Sequence, residues 1–250
     1  MAARAGAHHR ALAAEDGEDF IVLDDDEDDK FRSITDQSFI PVEIAGKPGH
    51  INPLRLRDLE ACFSGRIDMV LVNEISDAVV IADNKWVFDR FVELSKRPLS
   101  DAVKYAFFFH NYVEMRSYHR SCDNPIERSD RFGALYNVMG TIKHAFQAAF
   151  VLDKRTYPYE KWLYVFAHRS DTPKTLVEHV DNILEELTTN SSSLYGPEKD
   201  NRISRELMAI RRKLIGEAKQ RGIDEIWLEK WWRYIDKARN AVNDVRWISD

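Results

Sequence analysis

The chain has 250 residues, 44% of them hydrophobic, 31% charged and 11% aromatic, with a formal net charge of −6. This composition excludes a wholly disordered chain and supplies enough length for one large core or two small ones. No apolar run approaches the roughly 18 residues that a bilayer-spanning helix needs, and Cys62 and Cys122 alone build neither a disulfide framework nor a four-ligand zinc site.

Residues 1–14 read as a flexible leader without the apolar stretch of a signal peptide, so a cytoplasmic protein is expected. Ten acidic residues then crowd between Glu15 and Asp29 with no Lys or Arg among them, which leaves +4 for the rest of the chain. That mildly basic remainder has no concentrated basic stripe. Nucleic acid is therefore not the expected partner, whereas a phosphate-bearing small ligand is compatible with it. Phe20–Leu23 reads as a buried strand, and a second strand is expected over Ser38–Ile44, closed by a Gly46–Gly49 turn. Asn52-Pro53 reads as an N-cap and first helical residue, opening a helix through Leu54, Leu59 and Phe63. Residues 67–81 fit either a strand at Asp68–Val72 or a helical stripe, before a short edge strand at Val79–Ile81.

Beyond Lys85 the periodicity is helical. Pro98–Ser100 opens a long helix through Phe107 and Met115. Leu135, Val138, Met139, Ile142, Phe146, Ala149 and Phe150 then mark the clearest amphipathic face in the chain. Leu176–Leu187, Ile203–Lys219 and Asp224–Val242 complete the set. Trp227, Trp231 and Trp232 in the last of these read as core, with a partner surface as their other use. The whole is an α+β protein, with a small α/β domain at residues 15–83 and a larger α-helical bundle at residues 84–250.

There is no P-loop, no GxGxxG, no GxSxG and no HExxH. His110 and Glu114 stand one helical turn apart, a spacing that suits either a metal or a plain polar pair. The segment Tyr157-Pro-Tyr-Glu-Lys-Trp162 is more distinctive. Pro158 turns Tyr157 away from helical geometry, which sets Lys161 and Trp162 in the first turn of the next helix. A lysine among these aromatics can hold a phosphate while a base stacks. Equally, the aromatics can pin two helices while Lys161 reaches to water.

This Pro-Tyr-x-Lys-Trp phrase resembles the hallmark of a helical domain that follows the catalytic domain in a family of bacterial nucleotidyltransferase-like proteins. More distantly it is similar to the helical half of aminoglycoside adenylyltransferases. In order upstream, Val42-Glu43-Ile44, Leu56–Glu60, Ala78–Asp83 and Pro98–Tyr112 resemble further family segments, so that roughly residues 38–170 are covered. The resemblance implies a nucleotidyltransferase-like sheet domain, truncated here, and a nucleoside triphosphate, ATP first, held with Mg²⁺. A nucleoside monophosphate would pass to a hydroxyl of a small molecule or protein. It places metal on Asp16, Glu18 and Glu43, catalysis on Asp19 and Glu43, and nucleotide contacts on Lys161, Tyr159, Trp162 and Lys143; Asp68 is the rival third acid. The family's Gly-Ser turn is missing. A degenerate relative, a fragment that begins upstream and an active enzyme therefore all stay open, as does a non-catalytic nucleotide-binding or protein-interaction module.

Overall fold

Contacts divide the chain into two units, Met1–Pro98 with Arg246–Asp250, and Leu99–Val245. The computed structural model describes residues 2–4, 18–24, 40–44, 46–82, 87–190, 196 and 200–247, the first two segments by backbone alone. The division falls after Pro98 rather than at residue 83, because helix α3 (Val87–Ser95) shares the first unit's core.

That unit holds a five-stranded sheet in the order β3-β4-β2-β1-β5, built from β1 (Ala2–Arg4), β2 (Glu18–Asp24), β3 (Ile40–Ile44), β4 (Lys47–Arg55) and β5 (Val79–Ala82). β5 is an edge strand, as its brevity suggested. Residues 2–4 depart from the flexible-leader expectation. They pair antiparallel with both β2 and β5, a role fixed by backbone ladders and invisible to hydrophobic patterning. β3 and β4 form a hairpin in which Ile44 pairs with Lys47 and Gly46 adopts φ +77, a left-handed conformation that glycine takes at little cost.

Asn52-Pro53 does not open a helix. Both lie in β4, parallel to β2 and level with Ile21 and Val22. Among the described residues the β3 ladder ends at the Ile40–Ile51 pair, so beyond it β4 has β2 as its one described neighbour, a setting that tolerates the missing proline N–H. Helix α1 starts later, at Leu56, and runs to Ser64. The 67–81 stretch resolves as helical from Met69, not as a strand at Asp68–Val72. Asp68 caps α2 (Met69–Ser76) by accepting the amides of Val70 and Leu71 at 3.0 and 3.1 Å. The core under the sheet joins Leu59, Phe63, Val72, Ile75, Phe88 and Phe91, each contributing roughly 1.5–3 kcal/mol by burial. Trp247 returns to this core: its ring meets Phe63 edge-on at 5.9 Å and its indole N–H donates to the Leu94 carbonyl at 3.2 Å.

The second unit is all helical. Its centre is α4 (Asp101–Ser121), capped by Ser100, whose hydroxyl accepts the Val103 amide at 3.3 Å. Phe107, Phe108, Phe109, Tyr112 and Val113 are all buried, so α4 is enclosed on most sides. After α5 (Asp123–Glu127), Asp130 caps α6 (Arg131–Leu152) through the Gly133 amide at 2.8 Å, and α6 packs along α4. A single turn at Glu160–Trp162 leads into α7 (Leu163–Ala167), then α8 (Asp171–Thr189) and α9 (Arg202–Gln220).

The last predicted helix is broken into turns at Ile226–Leu228 and Trp231–Arg233, followed by α10 (Ile235–Ala241). The Leu228 carbonyl, which a continuous helix would give to the amide four residues on, accepts the buried Tyr112 hydroxyl at 2.6 Å instead. Trp227 and Trp231 are buried as expected of core, while Trp232 is 55% exposed. Among the described residues no helix is long and apolar enough to cross a membrane.

Candidate functional site

The bend between α6 and α7 begins where Lys154 leaves the helix with φ +57, and the amides of Lys154 and Arg155 turn back to the carbonyls of Val151 and Phe150. Thr156, Tyr157 and Pro158 are buried and anchor the bend. Tyr157 thus has the pinning role open to any of these aromatics. Tyr159 and Lys161 face the opposite way. Tyr159 is 52% exposed, and the exposed Lys161 ammonium lies 5.2 Å from the centroid of the half-buried Trp162 ring. An exposed cation–π contact of this kind is worth about 0.5–1 kcal/mol. It keeps the ammonium against an aromatic plane without neutralising it.

Lys143 is not available in the same way. It is ion-paired to Glu160, one residue from Lys161. This partner is not visible in the spacing, because Glu160 reads only as the variable position of the Pro-Tyr-x-Lys-Trp phrase.

The Lys143–Glu160 pair borders a groove of about 400 Å³. Phe146, Leu163 and Val180 give it an apolar floor, and Tyr118, Tyr136 and Tyr164 bring hydroxyls to its lining. Tyr118 and Tyr136 share a 3.4 Å hydrogen bond, which together with burial pushes the Tyr118 phenol up to about 12. Tyr164 donates to Asp181 at 2.6 Å, and that bond raises its pKa too. The groove therefore presents neutral hydroxyls and one ion pair, a lining suited to orienting an amphipathic molecule rather than to proton abstraction. Met139 and Leu184, two members of predicted apolar faces, are 44% and 38% exposed here because they line the groove.

One signal in the sequence marks this place: a glycine in the middle of α6, where glycine costs about 1 kcal/mol relative to alanine. A Cβ on Gly140 would come within 2.7 Å of ring atoms Cε1 and Cγ of Tyr118. We expect Gly140→Ala to destabilise the chain by about 1–3 kcal/mol, despite the better helix propensity. Urea denaturation monitored by circular dichroism measures this, and a stabilised variant would show that the glycine serves no packing purpose.

The other candidates divide. Glu43 is exposed on β3 and pairs across the hairpin with Pro48. It is not on a strand beside β2. The two neighbours of β2 are β1 and β4, Ala2–Arg4 and Lys47–Arg55, and neither contains a carboxylate. Level with Glu18 and Asp19 on β4 stand Gly49 and His50. Asp68, the rival, is used as a helix cap. Asp16 and the side chains of Glu18 and Asp19 lie outside the described residues.

Glu114 is held by Arg239, whose Nε and Nη2 donate at 2.6 and 3.4 Å. Burial pushes its carboxyl up, but the Arg239 bond and charge outweigh that and hold it below the usual range. The Glu114 carboxylate is thus engaged by Arg239 of α10. Among the described residues no three His, Cys, Asp or Glu side chains are grouped to hold a metal.

No family model matches this chain, and no curated protein matches it. Among solved structures it is similar to a nucleotidyltransferase-like protein from Exiguobacterium sibiricum 255-15, whose crystal structure was determined at 1.90 Å resolution. The likeness covers 96% of this chain and 82% of that one, with a TM-score of 0.50 at 11% identity. The chain thus has a nucleotidyltransferase-like α+β fold.

Proposed function

We propose that this chain is a nucleotidyltransferase-family protein that binds a nucleoside triphosphate, ATP first, with Lys161 contacting phosphate and Tyr159 or Trp162 stacking the base. The observation that carries the reading is the fold likeness across nearly the whole chain. A fold hosts many functions, so the exposed cation and aromatics of the 157–162 bend supply the chemical half of the argument. Lys143 joins the site only when Glu160 is displaced, at small cost for an exposed pair. In an active family member the group transferred would be a nucleoside monophosphate, and the acceptor a hydroxyl of a small molecule or protein.

Of the acids that the resemblance assigns to a Mg²⁺ centre, Glu43 stands on β3, which pairs with β4 and not with β2, while Asp16 and the side chains of Glu18 and Asp19 lie outside the described residues. We read the chain as a degenerate member that retains nucleotide binding. Calorimetry with ATP tests it. Lys161→Ala should weaken binding about ten-fold, the loss of one charge-assisted contact, and Mg²⁺ should leave the wild-type affinity unchanged. Equal ATP affinity in both proteins removes Lys161 from the site. A Mg²⁺ gain that Glu43→Ala abolishes would restore the metal centre.

A further inference from the structure

The second unit contains another cavity, of about 440 Å³, that shares no lining residue with the tyrosine-lined groove. It opens where the two flanks of the bend meet α4, α8 and α9. Five of its lining residues are cationic, Lys104, Lys154, Arg155, Arg169 and Arg221, against two carboxylates, Asp153 and Asp171.

These charges are not all neutralised. Lys104 and Lys154 share one carboxylate, Asp101, at 2.9 and 3.1 Å. Arg221 is fixed as a fork: Nη2 donates to the Thr172 hydroxyl at 2.7 Å and to Asp153 at 3.2 Å, and Nη1 donates to Glu217 at 2.5 Å. Asp153 in turn accepts the Thr172 amide at 2.9 Å, tying the end of α6 to the start of α8. Arg155 and Arg169 are exposed and form no ion pair with any described residue; Arg169 lies 5.3 Å from the Phe166 ring. The positive end of the 19-residue helix α8 adds to the same field. Lys104, Lys154 and Arg221 are thus matched by Asp101, Asp153 and Glu217, and the positive surplus of the cavity lies with the guanidiniums of Arg155 and Arg169, beside the one remaining acid Asp171, planar forks that match phosphate oxygens.

The geometry points to this cavity as a binding site for a compact polyphosphate anion, a di- or triphosphate group, separate from the aromatic bend. Its volume is many times the roughly 30 Å³ of one water, enough for a pyrophosphate with part of its hydration. The inference does not depend on the nucleotide reading, because Tyr159, Lys161 and Trp162 are absent from the lining.

Isothermal titration of inorganic pyrophosphate into the full chain tests the site. Arg155→Ser and Arg169→Ser should each weaken binding about ten-fold, the double variant should lose it, and wild-type binding should itself weaken as salt screens the charges. Both arginines are exposed, so unchanged circular dichroism and melting are expected and separate binding from folding. Lys161→Ala should bind pyrophosphate like wild type. ADP binding more tightly than pyrophosphate identifies a nucleotide-borne group; equal affinity identifies the free anion. Absence of pyrophosphate binding, an unchanged double variant, or a loss caused by Lys161→Ala instead would overturn the proposal.

Discussion

Trp227→Ala is expected to cost about 3–5 kcal/mol of stability, the range for emptying a large aromatic site in a packed core. Trp227 is 2% exposed, with its ring 4.7 Å from Phe109, 5.6 Å from Tyr112 and 5.7 Å from Phe108 between centroids. Its indole N–H donates to the Tyr105 hydroxyl at 3.2 Å. The residue thus joins the irregular C-terminal segment to three turns of α4. Its neighbour Leu228 is fixed by the Tyr112 hydroxyl, so a collapsed cavity would also disturb that bond. Chemical denaturation of Trp227→Ala beside Trp232→Ala measures the difference. Because Trp232 is 55% exposed, its replacement should change little. Similar small losses in both variants would mean that the Trp227 site relaxes freely.

The second large effect is acid sensitivity. His119 is buried, and its Nδ1 lies 2.7 Å from Arg116 Nη1. Since a guanidinium only donates, that nitrogen must be unprotonated. Burial, reinforced by the charges of Arg116 and Arg211, pushes His119 down to about 3. Burial also pushes His144 down to about 4, aided by Lys143 and His110 and opposed by Glu114. In the unfolded chain both titrate near 6.5.

Below that pH the unfolded state takes up protons that the folded state refuses. The stability owed to neutral histidines is thus complete above about pH 6.5, and it drains away as the pH falls toward 3–4. At pH 5 the loss is about 2 kcal/mol per histidine, from 1.36 kcal/mol per pH unit. Urea midpoints at pH 7.5, 6 and 5 should show the fall. His119→Gln keeps an acceptor for Arg116 and should flatten the slope by about half. A slope that this variant leaves unchanged would assign the acid sensitivity to other groups.

Helical periodicity carried most of the second unit. The buried Val138, Ile142, Phe146 and Ala149 stripe lies on α6 as its spacing predicted, and α4 opens at the expected Pro98–Ser100 stretch, although both helices run several residues beyond the periodic faces. Tertiary hydrogen bonds and strand pairing were not legible. The Tyr112–Leu228 bond breaks a segment whose tryptophans have good helical spacing, and β4 absorbs Asn52-Pro53 because a ladder to β2 outweighs a local capping signal. The bend at 157–162 was readable from Pro158 and its aromatic neighbours. The pairing of Lys143 with Glu160 was not, because it depends on where two helices converge. The cationic cavity drew no attention in the sequence for a related reason. Its five positive residues are spread over α4 and the turns that follow α6, α7 and α9, and no linear window holds them together.

The return of Trp247 to Phe63 and Leu94 has a consequence for synthesis. A chain emerging from the ribosome exposes residues 2–95 first, yet the cluster around Phe63 lacks its aromatic closure until residue 247 has cleared the exit tunnel. The helices from 101 to 241 are fully available before then. Nascent chains should therefore acquire protease resistance among the helices from 101 to 241 before the cluster around Phe63 does.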